Sequence, residues 1–196
     1  SCTGANLEED IFLLSARPHF HSIDNWRDLT PNQDAELLEE GLNRVTDVCI
    51  PEDKAIRAIE TAILPIWQDF SENNKSALPH EFLFQILLNG KLDISGNPSE
   101  SWVLAAAREN VPVFVPGWED STLGNIFASH VIQSKLNPST IKSGIHYMTE
   151  LAEWYAKQNT ELAFFQIGGG IAGDFPICVV PMLCLLYTSP SPRDER

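Results

Sequence analysis

The chain has 196 residues, 43% apolar, 9% aromatic and 20% charged, enough material for a packed core in one domain. That composition excludes a disordered chain, a collagen-like chain and a disulfide miniprotein. With 13 basic against 27 acidic residues the net charge is −14 and there is no basic run, which argues against nucleic-acid binding and suits cationic partners.

Ser1-Cys2-Thr3-Gly4 reads as the end of a strand turning into a helix, so sequence is expected upstream of Ser1. Asn6, with Glu9 three residues on, is the expected cap of a first helix carrying Leu7 and Ile11. Thr30-Pro31-Asn-Gln33 is a capping box with proline in the first turn, and Leu37, Leu38 and Leu42 extend its stripe to about Val45. Pro51 opens a longer helix through Phe70, kinked at Pro65. Pro79 to Gly90 is a short helix closed by glycine, and Ser99 caps another at residues 102–109.

The period then changes. Val111-Pro-Val-Phe-Val-Pro-Gly117 and Leu162-Ala-Phe-Phe-Gln-Ile167 are β-branched and aromatic runs, read as buried strands. Helices at residues 120–132 and 139–158 separate them. Strands alternating with helices predict an α/β fold with a parallel sheet. Cys2, Cys49, Cys178 and Cys184 form no C-x-x-C pair, the usage of a reducing, cytoplasmic compartment. The longest apolar run, residues 177–187, is shorter than the roughly 18 residues of a membrane helix and contains Pro181, so no membrane span is expected.

Three segments carry chemistry. Gly168-Gly169-Gly170-Ile171-Ala172-Gly173 matches G-x-G-x-x-G between a strand and a helix, where backbone N–H groups can close on a diphosphate. The same pattern also serves as a tight turn, and the confirming acid would fall beyond the readable segment. Thr3-Gly-Ala-Asn-Leu-Glu-Glu-Asp10 and Pro116-Gly-Trp-Glu-Asp-Ser-Thr-Leu-Gly-Asn125 lie at carboxyl ends of expected strands, where α/β folds build their clefts. Their carboxylates can hold ribose hydroxyls or ammonium groups, or simply cap helices. His19 and His21 lack partners for a metal site and read as surface residues; His130 and His146 read as structural.

Taken together, the three segments and Gly41-Leu42-Asn43-Arg44 resemble the deoxyhypusine synthase family, in particular its bacterial deoxyhypusine synthase-like branch, over residues 1–183. The resemblance implies a Rossmann-like parallel sheet flanked by helices, an NAD cofactor and a homotetramer with sites between subunits. It also implies an aminobutyl transfer from a polyamine such as spermidine, through an enzyme lysine, to a protein lysine or other amine. By motif, Thr3, Gly4, Ala5, Glu9, Asp120, Gly168, Gly169 and Gly170 would contact NAD, while Thr122, Asn125 and Asp174 would face the polyamine. The family's lysine is expected beyond Leu183, which would leave residues 1–183 inactive alone.

Two positions depart from the eukaryotic pattern. Asn125 stands where those enzymes have an aspartate, and Asp174 where they have a catalytic histidine. A carboxylate can pair with an ammonium but does not carry protons near neutral pH as imidazole does. A small-amine acceptor, as in homospermidine synthesis, therefore stands beside a protein lysine. An ordinary NAD-dependent dehydrogenase and a catalytically dead polyamine-binding module are the remaining alternatives. Finally, residues 184–196, Cys-Leu-Leu-Tyr-Thr-Ser-Pro-Ser-Pro-Arg-Asp-Glu-Arg, resemble a translated sequencing adapter, which predicts that the native segment ends near Leu183.

Overall fold

A computed structural model describes residues 1–187. Helix α1 (Gly4–Ala16) starts at Thr3, whose Oγ1 accepts from Asn6 N at 3.2 Å, so the cap lies three residues before the expected Asn6. Its buried arc is Leu7, Ile11, Phe12 and Leu14, with Glu8 and Ser15 among them. A short strand β1 (His21–Ser22) follows.

Helix α2 (Pro31–Glu39) has the expected capping box, with Thr30 and Gln33 reciprocally bonded. It stops well before Val45 because Gly41 adopts φ +76°, a conformation open to glycine but not to a continuing helix. Leu42 thus leaves the helical stripe and begins strand β2 (Leu42–Val45), which hairpins onto β3 (Val48–Pro51). The sheet is antiparallel in the order β1-β3-β2, with Leu42 opposite Pro51 and His21 opposite Cys49. Arg44 clamps Asp34 with two bonds of 2.5 and 2.9 Å, tying the hairpin to α2. Pro51 is both the last residue of β3 and the N-cap of the helical stretch expected from it. A π-helical turn (Glu52–Arg57) then leads into α3 (Ala58–Glu72), with Pro65 inside it.

Helix α4 (Pro79–Leu88) begins where Glu81 accepts from Leu78 N at 2.7 Å. Helix α5 (Trp102–Arg108) is capped by Ser101, not Ser99, whose hydroxyl serves the preceding turn. Helices α6 (Thr122–Ile132), α7 (Gly144–Ala156) and α8 (Ile171–Tyr187) complete the described chain. Helix α7 starts later than residue 139 because residues 138–140 form a separate turn, and the Ser143–His146 capping box sets the true start.

The core is one apolar cluster centred on α1, α3, α4 and α6, including Leu7, Ile11, Ile59, Ile63, Phe82 and Leu123. Trp67 sits within it, edge-on to Phe127 at 5.1 Å and Trp118 at 6.4 Å. The chain is mixed α/β, mostly helical, and among the described residues strand pairing is limited to the small antiparallel sheet and one isolated parallel bridge, Ala77 to Ile141.

The expected parallel sheet is not formed among the described residues. Residues 111–117 are extended and Val113, Phe114 and Val115 are buried, but their one ladder-like bond is Cys2 N to Phe114 O at 2.9 Å. Pro112 and Pro116 remove two donors from this stretch. Residues 162–167 have no strand partner among the described residues and are largely exposed, Phe165 at 90% and Ile167 at 86%. The tail expected to be adapter-derived lies outside the described residues from 188 onward. No helix of the described residues is long and apolar enough to cross a membrane.

Candidate functional site

The three glycine- and acid-bearing segments, far apart in sequence, converge. The first meets the second at the N-termini of α1 and α6. A β-carbon placed on Gly4 would lie 2.8 Å from Ser121 Cβ and 3.3 Å from Trp118 O, so only glycine permits this approach. The second meets the third at Gly117, where a β-carbon would lie 3.1 Å from Ile171 Cδ1. A cleft of about 520 Å³ runs between the first and third segments, with Thr3, Asn6, Phe114, Trp154, Gly168 and Gly169 in its walls.

The helix ends facing this region differ in their electrostatics. At α6, Ser121 Oγ accepts from Gly124 N at 3.0 Å, and Glu8 accepts from Thr122 N and Leu123 N, both at 2.9 Å. The first-turn donors of α6 are therefore consumed by the protein. Burial raises the Glu8 carboxyl above the usual range, and the two backbone donors offset only part of that rise. At α8 the arrangement is open. Gly170 O accepts from Gly173 N and Asp174 N, each at 3.0 Å, while the amides of Ile171 and Ala172 are unclaimed among the described residues.

Gly168 and Gly170 hold φ of +84° and +74°, and the space around all three glycines of the turn is empty within 4 Å of an added β-carbon. An exposed glycine turn with positive φ, unclaimed amides and an adjoining cleft fits the diphosphate of a dinucleotide. Gln166 also braces the turn: its Nε2 donates to Gly168 O at 3.0 Å and its side chain packs over Gly173.

The remaining predicted residues fall around this framework. Thr3 is half-buried as the α1 cap, and Ala5 and Glu9 are exposed on the first turns of α1. Asp120 is exposed just before α6. Thr122 is half-buried, and Asn125 Nδ2 donates to Ser121 O at 2.7 Å, which fixes its amide. Asp174 is exposed in the first turn of α8. Of the predicted residues, Thr3, Gly168 and Gly169 line the cleft; Gly4, Ala5, Glu9, Asp120, Thr122, Asn125, Gly170 and Asp174 do not.

The histidines behave as expected: His19 and His21 are exposed, His130 Nε2 meets Glu60 Oε1 at 2.8 Å, and His146 completes a helix cap. The described residues contain no group of metal-ligating side chains. Two carboxylates were not singled out by sequence. Glu8 is one, detectable in retrospect because it shares the i, i+4 phase of buried Phe12. Asp10 is the other, accepting from Ser101 Oγ at 2.5 Å and from Trp102 N and Val103 N at 3.3 and 3.2 Å.

The deoxyhypusine synthase family model matches residues 2–188. A probable deoxyhypusine synthase 2 of Methanosarcina acetivorans is 29% identical over 176 residues, 88% of this chain and 46% of that protein. Its Archaeoglobus fulgidus counterpart is 28% identical over 173 residues, 88% of this chain and 51% of its own length. A deoxyhypusine synthase of Senecio vernalis is 30% identical over 111 residues, 55% of this chain and 27% of that protein. The chain thus spans about half the length of the archaeal relatives it matches.

Proposed function

Because the chain belongs to the deoxyhypusine synthase family, we propose that the whole protein is an NAD-dependent transferase moving the aminobutyl group of a polyamine such as spermidine to an acceptor amine. The observation that carries this reading is the meeting of the three segments at Gly4–Ser121 and Gly117–Ile171 beside an open, glycine-lined helix end. Bound NAD supplies a hydride acceptor for amine oxidation.

This chain's residues do the rest of the work in the cleft and on the helix ends beside it. The Gly168–Gly170 turn and the free α8 amides hold the diphosphate, with Thr3, Gly4 and Ala5 flanking it and Glu9 and Asp120 offering carboxylates to ribose hydroxyls. Thr122 and Asn125 present oxygen acceptors to ammonium groups from one fixed helix end. Asp174 adds a carboxylate that pairs with an ammonium. The catalytic lysine belongs to the protein outside residues 1–183.

The same reading includes a Rossmann-like parallel sheet in the whole protein, in which residues 111–117 and 162–167 find strand partners that the described residues do not supply. It also includes a cytoplasmic homotetramer with sites shared between subunits, and an adapter origin for residues 184–196. A small-amine acceptor, as in homospermidine synthesis, stands beside a protein lysine, because the Asp174 carboxylate pairs with an ammonium but does not carry protons near neutral pH as imidazole does. The test uses the full-length protein with NAD and spermidine, with and without added putrescine. Formation of NADH or an amine adduct supports the reading, and no NAD binding at millimolar concentration overturns it.

A further inference from the structure

We infer that Glu8 is a positioning residue that fixes the α6 N-terminus, and with it Thr122 and Asn125, against the first segment. Glu8 is 6% exposed and sits on α1 between Leu7 and the buried Ile11–Phe12 pair. Its carboxylate crosses to another helix and accepts from Thr122 N and Leu123 N, one oxygen to each. Two charge-assisted bonds from consecutive amides define both the distance and the rotation of α6 relative to α1.

Because Glu8 and Ser121 take up the first-turn donors, this helix end offers an anion nothing, in contrast to the open end of α8. The adjacent Glu9 stays exposed, so the two neighbouring carboxylates divide the work: Glu8 faces inward to hold the scaffold and Glu9 remains free for a ligand. Asn125 is locked in turn, since its Nδ2 bond to Ser121 O leaves Oδ1 as the acceptor available to an ammonium. Glutamine at position 8 keeps the shape but replaces one acceptor oxygen with a donor that faces a backbone N–H. Aspartate keeps the charge but is one methylene too short to reach both amides.

The inference rests on the proposed function only in taking Thr122 and Asn125 to face the polyamine. It is tested in the full-length enzyme by hydrogen exchange at residues 122 and 123 without ligands, alongside steady-state constants. In wild type both amides are protected. In Glu8→Gln and Glu8→Asp they exchange about tenfold faster or more, the KM for spermidine rises about tenfold and the Kd for NAD stays within about twofold.

Three results overturn it: wild-type amides exchanging at solvent rates, variant amides keeping wild-type protection while spermidine weakens, or released amides with spermidine constants unchanged. The second of these is what a direct ammonium ligand would give. The wild-type exchange measurement decides the matter even where neither variant folds. If wild type neither binds NAD nor turns over spermidine, the proposed function fails, while the amide result still reports on Glu8.

Discussion

Gly4 and Ser121 are packed so closely that the α1 and α6 N-termini act as one surface, with room for a hydrogen at Gly4 Cα and no room for a methyl group. Gly4→Ala should therefore destabilise the protein by about 1–3 kcal/mol, the usual range for overpacking. Alanine's better helix propensity offsets at most about 1 kcal/mol of that. Chemical denaturation of wild type and variant checks the sign. A neutral or stabilising Gly4→Ala would mean that the two segments do not meet as described.

Asp10 gives a contrasting case on the same helix. It caps α5 through Ser101 Oγ and the amides of Trp102 and Val103 and does not line the cleft beside the glycine turn. Asp10→Ala should cost about 0.5–2 kcal/mol, as for other lost caps. In the full-length enzyme the constants for NAD and spermidine should stay at wild-type values. A thermal melt and a steady-state assay together test this, and a selective rise in one KM would contradict it.

What could be read from sequence was what local chemistry decides. The Thr30–Gln33 box and the Pro79 start act within four residues and appear as expected. The parallel sheet is not formed among the described residues for a long-range reason. Residues 111–117 and 162–167 have β-branched and aromatic side chains that favour extended backbone, yet pairing needs a neighbouring strand that no local pattern supplies. At Gly41 a single positive φ broke a stripe that periodicity alone continued. The site divides in the same way. Its residue types were visible in the three motifs, whereas the contacts of Gly4 with Ser121 and of Glu8 with α6 span more than a hundred residues. Adjacent Glu8 and Glu9 looked alike until helix phase separated them.

His80 should make stability depend on acid. Burial, reinforced by the Lys142 charge, pushes it from 6.5 to about 4, and its Nδ1 lies 2.9 Å from the Tyr147 hydroxyl. Between those values the unfolded chain binds a proton that the folded one refuses. The contribution is thus complete above about pH 6.5 and is lost as pH falls toward 4, by about 3 kcal/mol in all. His80→Asn keeps an acceptor at the δ position but does not titrate. Denaturant midpoints from pH 7 to pH 4 should fall less steeply for the variant, by about one proton's worth of slope. Equal slopes would show that His80 is not held neutral.

The glycine turn permits a separation of binding from stability. Gly168 and Gly170 have positive φ, so alanine at either strains the backbone by about 1–2 kcal/mol whatever binds there. Gly169 lies outside that region, and a β-carbon on it would meet nothing within 4 Å. Gly169→Ala should therefore leave the denaturation midpoint unchanged. If the turn carries a diphosphate against its backbone, the added methyl occupies the space the phosphate oxygens need, and NAD affinity in the full-length protein should fall about tenfold or more. Titration calorimetry with NAD reads this directly. Unchanged affinity at unchanged stability would remove the glycine turn from the cofactor site, leaving it as the tight turn that starts α8.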